Sequence, residues 1–347
     1  MNGLLVVDKP AGVTSFDVVR ELKKGIKGVK IGHLGTLDPL ATGVLPILLG
    51  EGTKLAPFLE GGTKIYEATV HLGVTTDTQD KEGERLREVK LDGYDLSPQR
   101  IESAVHKFRG SIRQLPPMYS ALKQKGKPLY KLARKGVDVN RRPREVEIYE
   151  LRIMGIDLPY LHLHIECSKG TYIRTLANDI GEELGCGAHL AQLRRTKSGP
   201  FSLQDALSLE EIKTLMKKRE LEKRILPLSR ALDFLPAIGV GKDFALRIRQ
   251  GQAIALEDLA CELKQDEAVV RVLLEGEGGL VAVGRVKRGE RGFILRPLRV
   301  FHDGIFTKPP LCGKNRFPKN TEGSGRKVNG FGRREEEGGH RAIQVAR

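Results

Sequence analysis

The sequence predicts an α+β protein that carries a second, smaller β-rich domain. Over about the first 235 residues, short apolar runs typical of strands are interspersed with helical segments. From about Pro236 the pattern changes to a hairpin around Gly276 to Gly279 and a closing strand of sequence FILRPLRVF. We therefore expect a large domain over residues 1–235 and a compact β-rich domain over residues 236–302.

The strands and helices of the large domain follow from residue pattern, caps and turn residues. Apolar and β-branched content predicts six strands, at residues 3–7, 44–50, 64–73, 145–156, 160–167 and 187–201. Caps, stop residues and helical spacing predict five helices, at residues 16–24, 53–59, 97–108, 128–135 and from residue 173 onward. We expect Ser15 to cap the first helix and Gly136 to end the fourth. The polar segment TTDTQDKEGERL, residues 75–86, is expected to lie on the surface.

The charge of the chain indicates a polyanionic partner. Its 347 residues include 59 Lys and Arg against 44 Asp and Glu, a net charge of +15, and the isoelectric point is near 9.6. Basic side chains gain affinity for nucleic acid by releasing counterions, and the chain has no Trp, so we expect nucleic acid in preference to a membrane surface. The first apolar run is too short for a signal peptide, and no later run approaches the about 18 residues of a membrane span. We therefore expect a cytoplasmic protein.

The cysteines and the C-terminal stretch predict neither metal binding nor further folded structure. Cys167, Cys186, Cys261 and Cys312 have no zinc-site spacing, so we expect no structural metal and reduced thiols. Residues 303–347 contain eight glycines and ten basic against five acidic residues, with little apolar periodicity. Such a composition buries too little surface to fold alone, which predicts a disordered basic tail.

One carboxylate, Asp38, lies in a turn rich in glycine and proline within GHLGTLDPLATGVLPI, residues 32–47. A backbone restricted by Gly35 and Pro39 can hold a carboxylate at a fixed distance from a substrate, as nucleophilic or acid–base chemistry requires. The apolar run from Val44 predicts a buried strand directly after this loop, and loops on a rigid sheet often carry catalytic groups. Asp38 is therefore a candidate catalytic residue; the alternative is an ordinary turn residue before proline.

Six sequence blocks occur together in a family-specific order. They are GLLVVDKPAGVTS, GHLGTLDPLATGVLPI, KIYEATVHLGVTTDTQD, PPMYSALK, CSKGTYIRTLA and GAHLAQLRRT. In order and approximate spacing the chain resembles bacterial tRNA pseudouridine synthases of the TruB family, over roughly residues 3–200. The β-rich segment resembles, more loosely, the PUA-type RNA-binding domain of such proteins, and the tail does not resemble the family. Leu34 departs from the Thr that many relatives carry there.

This resemblance implies a fold and a reaction. The fold would be a mixed, mainly antiparallel pseudouridine synthase catalytic sheet with flanking helices, a helical RNA-gripping insert at about residues 81–144, and a PUA-like C-terminal domain. The reaction would convert the T-loop uridine at position 55 of tRNA to pseudouridine, without cofactor, metal or energy source. Asp38 would be the essential carboxylate, which attacks the ribose or the base, or removes the 2′ proton to form a glycal. The sequence leaves these routes open.

The resemblance also assigns two partners to Asp38. Arg174, in KGTYIRT, would lie against Asp38, keep it ionised and fix its rotamer. Tyr66, in KIYEA, would stack on the flipped uracil and help to deprotonate C5 of the rotated base. Core packing on an alternating strand is the alternative for Tyr66.

A second group of residues is expected to contact RNA. His33 would occupy the gap left by the flipped nucleotide, with a turn or capping role as the alternative. Lys9, Lys169 and Tyr172 would support the Asp38 loop or contact substrate, and Leu190 would form a wall of the base pocket; strand-end packing or solvation is the alternative for these four. A basic run in the insert offers phosphate contacts, at Lys123, Lys125, Lys127, Lys131, Arg134, Lys135, Arg141, Arg142 and Arg144.

The expected partner is the T-stem-loop of tRNA, bound by a single chain that needs no protein partner and acts as a monomer. Two alternatives remain open. The first is a guide-RNA-dependent pseudouridine synthase, against which the long insert argues, since relatives of that type have a shorter connection there. The second is a non-catalytic tRNA-binding or tRNA-folding protein.

Overall fold

A computed structural model describes residues 1–120, 122–124, 126–256, 267–289 and 292–302. The predicted tail over 303–347 and the positions Lys125, Cys261 and Cys312 lie outside these residues. The chain divides into two compact units, Met1–Pro227 and Leu228–Arg347. In the part of the chain that the structure describes, every helix is too short or too polar to span a bilayer.

The first unit contains fourteen strands and six α-helices within its described residues. Its strands are β1 (Gly3–Lys9), β2 (Ile31–His33), β3 (Thr42–Leu49), β4 (Lys64–Leu72), β5 (Val74–Thr76), β6 (Arg85–Glu88), β7 (Gly110–Gln114), β8 (Lys123–Gln124), β9 (Lys127–Pro128), β10 (Arg144–Asp157), β11 (Tyr160–Cys167), β12 (Ala188–Ser198), β13 (Phe201–Ser202) and β14 (Ala206–Ser208). Its α-helices are α1 (Ser15–Gly25), α2 (Ala56–Leu59), α3 (Pro98–His106), α4 (Leu129–Ala133), α5 (Ile173–Leu184) and α6 (Leu209–Lys218).

Ten of these strands form one sheet in the order β14-β1-β3-β12-β4-β11-β10-β7, with β2 paired to β3 and β13 to β12. The pairs β1/β14 and β3/β12 are parallel and the others are antiparallel. The prediction of a mixed, mainly antiparallel sheet with flanking helices is therefore confirmed. The central strands β3, β12 and β4 are neighbours although they are far apart in sequence, so residues from distant segments meet there.

The apolar faces of the sheet and of the helices form one core in the first unit. In α5 the residues Ile173, Leu176, Ala177, Ile180 and Leu184 are buried, and they recur at the three- and four-residue spacing of one helix face. Gly185 ends this helix in the left-handed conformation, with φ of 85°. The buried face holds the first turn of α5 firmly against the sheet.

Two predicted helix ends differ from the structure. The cap of α1 is Thr14, not Ser15: Thr14 Oγ1 accepts the Asp17 N–H at 3.1 Å, and the Asp17 carboxylate accepts the Thr14 N–H at 3.0 Å. Ser15 is the first helical residue and is free to bond elsewhere. The helix predicted over 128–135 is shorter, because α4 ends at Ala133 and a turn continues to Gly136, whose φ is 68°.

The second unit is rich in strands, as the sequence predicts. Its elements are β15 (Ala237–Val240), α7 (Lys242–Arg249), β16 (Ile254–Leu256), β17 (Glu267–Leu274), β18 (Leu280–Gly289) and β19 (Gly292–Val300). The five strands form a sheet in the order β15-β17-β18-β19-β16 around a separate apolar core. The hairpin predicted around Gly276 to Gly279 is the turn between β17 and β18.

Candidate active site

Asp38 lies in the loop between β2 and β3, and buried groups hold this loop on both sides of the carboxylate. Ser15 Oγ accepts the N–H of Leu37 at 2.9 Å and donates to the Leu37 carbonyl at 3.1 Å. The N–H of Gly12 donates to the Pro39 carbonyl at 2.9 Å. The segment that enters α1 therefore fixes the backbone immediately before and after Asp38.

Lys9, at the end of β1, supports the same loop. Its side chain has no exposed surface, and its ammonium donates to the carbonyl oxygens of Val13 at 2.7 Å, Pro10 at 2.8 Å and Pro39 at 3.2 Å. Burial lowers the pKa of Lys9 to about 8, while the charge of Asp38 opposes this shift, so the ammonium form predominates at pH 7. Because its N–H groups are all used, Lys9 supports the Asp38 loop and is not placed for direct RNA contact.

Arg195, on β12, holds the two ends of the loop together. It is 1% exposed, its Nε donates to the Val44 carbonyl at 2.8 Å, and its Nη2 donates to the Gly35 carbonyl at 2.8 Å. Gly43 has φ of 100°, and a Cβ there would lie 2.1 Å from the Arg195 carbonyl oxygen. Only glycine allows this approach of the two backbones.

Arg174, on the first turn of α5, pairs with Asp38 as the resemblance implies. Its Nε donates to Asp38 Oδ2 at 2.9 Å and its Nη2 to Oδ1 at 3.3 Å, a two-point contact. Nη1 also donates to the carbonyl of Thr78 and Nη2 to that of Tyr119, each at 2.8 Å. The Arg174 side chain is 4% exposed and that of Asp38 is 35% exposed. The guanidinium is thus fixed within the protein, and the carboxylate remains accessible to a substrate.

A second carboxylate, Asp80, contacts the same guanidinium. Its Oδ2 lies 3.6 Å from Nε of Arg174, and its Oδ1 accepts the Thr78 hydroxyl at 2.6 Å and the Glu82 N–H at 3.0 Å. The prediction that residues 75–86 lie on the surface is wrong for Thr76 and Asp80, which are each 5% exposed. Their polar atoms are hydrogen-bonded within the site, so burial does not leave them unsatisfied.

Tyr66, on β4, belongs to the core and lies beside Arg195. It is 6% exposed and pairs in register with Ile165 on one side and Arg195 on the other. Burial raises the pKa of Tyr66, and the Arg195 guanidinium opposes this only in part. Tyr66 is therefore a neutral phenol at neutral pH.

His33 ends β2, five residues before Asp38. Burial lowers the pKa of His33, and the positive charge of Arg195 adds to this effect, so the imidazole is neutral at pH 7. Its Nδ1 is buried and finds no hydrogen-bond partner in the described part of the chain. The ring has an unused polar atom and a partly exposed surface next to the Asp38 loop.

The other three predicted contact residues have different surroundings. Tyr172 is the residue before α5, two positions ahead of Arg174, and burial raises the pKa of its phenol. Lys169 is exposed in the turn between β11 and α5. Leu190 on β12 has no exposed surface and packs in the core, and its backbone bonds to Gln79 and Lys81 of the Asp80 segment. Leu190 therefore supports that segment from the sheet.

Sequence reasoning missed the supporting roles of Asp80, Arg195 and Ser15. Asp80 and Arg195 lie in two of the six family-like blocks, but polar residues in a turn and two arginines near a strand end read as surface groups. Among the described residues, no cluster of three or more His, Cys, Asp or Glu side chains could hold a metal ion.

Two family models match adjoining parts of the chain. The first, "TruB family pseudouridylate synthase (N terminal domain)", matches residues 23–173, and the second, "tRNA pseudouridylate synthase B C-terminal domain", matches residues 174–233. Asp38 falls in the first region and Arg174 begins the second. The chain also aligns with the structure titled "Crystal Structure of a Cbf5-Nop10-Gar1 Complex", with a TM-score of 0.66 and 28% identity over 86% of this chain and 85% of that chain. The fold and the site define a pseudouridine synthase.

Curated relatives specify the family. The tRNA pseudouridine synthase B of Geobacter sulfurreducens is 49% identical over 259 residues, which are 75% of this chain and 84% of the relative. That of Geotalea uraniireducens is 47% identical over 316 residues, which are 88% of this chain and 100% of the relative. The chain belongs to the TruB family of tRNA pseudouridine synthases, which are isomerases of tRNA uridine. The resemblance of the six sequence blocks is thereby confirmed.

Proposed function

We propose that this chain isomerises the T-loop uridine at position 55 of tRNA to pseudouridine, with Asp38 as the essential carboxylate. The observation that carries the proposal is the contact of an accessible carboxylate with a buried guanidinium, at 2.9 and 3.3 Å, in a loop that four other groups hold in place. Such an arrangement keeps the carboxylate at one position and leaves one side open to a nucleoside.

The reaction needs only groups of the protein and the nucleoside itself. The N1–C1′ bond breaks, the C5–C1′ bond forms, C5 loses a proton and N1 gains one, so the product is an isomer of the substrate. Asp38 serves this exchange as a nucleophile toward the ribose, as a nucleophile toward the base, or as the base that removes the 2′ proton. All three routes require an ionised carboxylate held close to the nucleoside, and Arg174 meets that requirement for each.

Tyr66 acts in this proposal as the stacking surface for the uracil. Its raised pKa keeps it a neutral phenol, which is a poor proton acceptor, and this argues against Tyr66 as the first acceptor of the C5 proton. Neutral His33, with its unused Nδ1, is suited to fill the place that the flipped nucleotide leaves. Taking the base out of its stack costs a few kcal/mol, which such contacts must offset.

Phosphate contacts come from the insert. Seven residues of its basic run are exposed: Lys123, Lys127, Lys131, Arg134, Lys135, Arg142 and Arg144. Arg141 differs, because its Nη1 donates to the Pro116 carbonyl at 3.0 Å and it is only partly exposed. We assign tRNA binding to these seven exposed residues. The second unit, as a PUA-like domain, would make a further contact with tRNA. A single chain acting in the cytoplasm would suffice.

The test is incubation of the purified protein with an unmodified tRNA transcript, followed by mapping of pseudouridine. We expect product at position 55 without added RNA or protein. Asp38→Asn, which keeps the side-chain shape, should bind the transcript with unchanged affinity and lose the product by a factor of about 10⁴ or more.

Other outcomes favour other functions. Tight binding by the wild type without pseudouridine would support the non-catalytic tRNA-binding protein. Product that appears only with a separate guide RNA would support the guide-dependent type. Product at another position of the tRNA would support the proposed reaction but overturn the assignment to position 55.

A further inference from the structure

The helix that carries Arg174 has no cap of its own. Tyr172 is the N-cap residue of α5, and its side chain makes no capping bond. A glutamine from another segment instead holds the backbone of Tyr172: Gln114 Oε1 accepts the Tyr172 N–H at 3.0 Å, and Gln114 Nε2 donates to the Tyr172 carbonyl oxygen at 3.3 Å. Gln114 is the last residue of β7 and is 1% exposed.

A second glutamine, Gln79, holds the same helix turn from the segment that contains Asp80. Gln79 Oε1 accepts the hydroxyl of Thr175, the residue after Arg174, at 3.0 Å. Gln79 has φ of 63°, a conformation uncommon for a residue other than glycine and often found at functional sites. Its backbone carbonyl accepts the Leu190 N–H at 3.0 Å, which joins it to the sheet.

Each glutamine belongs to a segment that also bonds to the guanidinium. Thr78, next to Gln79, and Tyr119, five residues after Gln114, accept Nη1 and Nη2 of Arg174 through their carbonyls. Two segments therefore each fix the helix turn and the arginine side chain together. We propose that Gln114 and Gln79 are positioning residues that set the orientation of Arg174, and through it of Asp38. This inference rests on the proposed roles of Asp38 and Arg174.

A purely structural role would also explain two buried amides with satisfied hydrogen bonds. The two explanations differ in what is lost on substitution. A structural residue lowers stability, whereas a positioning residue lowers the rate of the chemical step at unchanged affinity for tRNA, because small misplacement of a reacting group costs up to about 100-fold in rate.

The test compares variants that keep shape and lose hydrogen bonds. Gln114→Met removes both bonds to Tyr172, and Thr175→Val removes the bond to Gln79. Thr175→Ser keeps the hydroxyl and serves as the conservative variant. Thr69→Val is the matched control, since it removes a bond to His162 of 3.2 Å elsewhere in the same sheet. We expect single-turnover rates on tRNA to fall about 10- to 100-fold for the first two variants, with Kd within about twofold, and to stay near wild type for the others.

A second measurement is independent of turnover. The Nε–H of Arg174 donates to Asp38, so its NMR signal, assigned by its loss in Arg174→Lys, reports the pairing directly. Gln114→Met and Thr175→Val should shift or broaden this signal, and Thr69→Val should not.

Equal rate losses in Thr69→Val, weaker tRNA binding as the main effect, or an unmoved Arg174 signal would overturn the inference. If the signal moves in Gln114→Met and Thr175→Val but the wild-type protein makes no pseudouridine, the proposed function is overturned and the positioning roles are upheld.

Discussion

In the pair of Asp38 and Arg174, the arginine is buried and the carboxylate is partly exposed, an arrangement that suits catalysis. The arginine makes four hydrogen bonds to protein oxygens, two to Asp38 and one each to the carbonyls of Thr78 and Tyr119. A buried guanidinium with so many partners does not reorient when a substrate arrives, whereas the carboxylate keeps exposed surface. The geometry of the acid is therefore set before the nucleoside binds.

Lys9 makes the activity sensitive to alkaline pH. With a pKa of about 8, its ammonium loses a proton between about pH 7 and pH 9, which weakens the bonds to Val13 and Pro10 and removes a positive charge near Asp38. We expect the single-turnover rate on tRNA to fall with a midpoint near pH 8. A rate that stays constant up to pH 9 would contradict this role.

Stability should change in the other direction over that range. The unfolded lysine has the ordinary pKa of 10.5, so between about pH 8 and pH 10.5 the unfolded chain binds more protons than the folded chain. The contribution of Lys9 to the free energy of unfolding therefore rises with pH and is lost as pH falls through about 8. The rate should thus fall as pH rises while deprotonation of Lys9 causes no fall in Tm. If rate and Tm fell together, the pH effect would be due to unfolding.

Among the elements, the start of β3, directly after the Asp38 loop, depends on a glycine, Gly43. A Cβ at Gly43 would lie 2.1 Å from the Arg195 carbonyl oxygen and 2.9 Å from its backbone nitrogen, at φ of 100°. Gly43→Ala should reduce the free energy of unfolding by more than about 3 kcal/mol, measured by urea denaturation. Gly12→Ala is the matched control, with φ of 82° and no atom within 4 Å of the added Cβ; only the conformational cost of about 1 to 2 kcal/mol should appear. Equal losses of stability in the two variants would mean that the backbone at Arg195 moves away from the added methyl group at little cost.

For some elements the local sequence pattern is sufficient to predict their position. Strands with continuous apolar content, such as β1 and β3, lie close to their predicted positions, since burial on a sheet needs little more than apolar residues. The cap of α1 was placed one residue late, because Thr14 and Ser15 are both good caps and only the loop contact to Leu37 distinguishes them. Asp80 was read as a surface residue for a related reason: its burial depends on Arg174, which lies on another element.

At the scale of the whole molecule, the net charge of +15 should appear in the salt dependence of tRNA binding. Replacing Lys127, Lys131 and Lys135 by Gln should reduce the slope of log K against log salt by roughly 2 to 3, if each contacts a phosphate. The control is the same loss of charge on α6, with Lys213, Lys217 and Lys218 replaced by Gln, and it should change the slope by less. Equal changes in both variants would attribute affinity to net charge and not to the insert.

Local sequence is enough to specify the six longest strands of the first unit, the α+β class, the β-rich second unit and the glycine-rich turn around Asp38, because these depend on neighbours within a few positions. The six blocks also place Arg174 among the site residues by resemblance. The contacts that make a site required the tertiary structure. Asp38 and Arg174 are 136 positions apart, and they meet because β3, β12 and β4 are adjacent in the sheet and α5 packs on it. The order of strands, and hence which buried polar groups find partners, follows from packing of the whole core and is not contained in any local pattern.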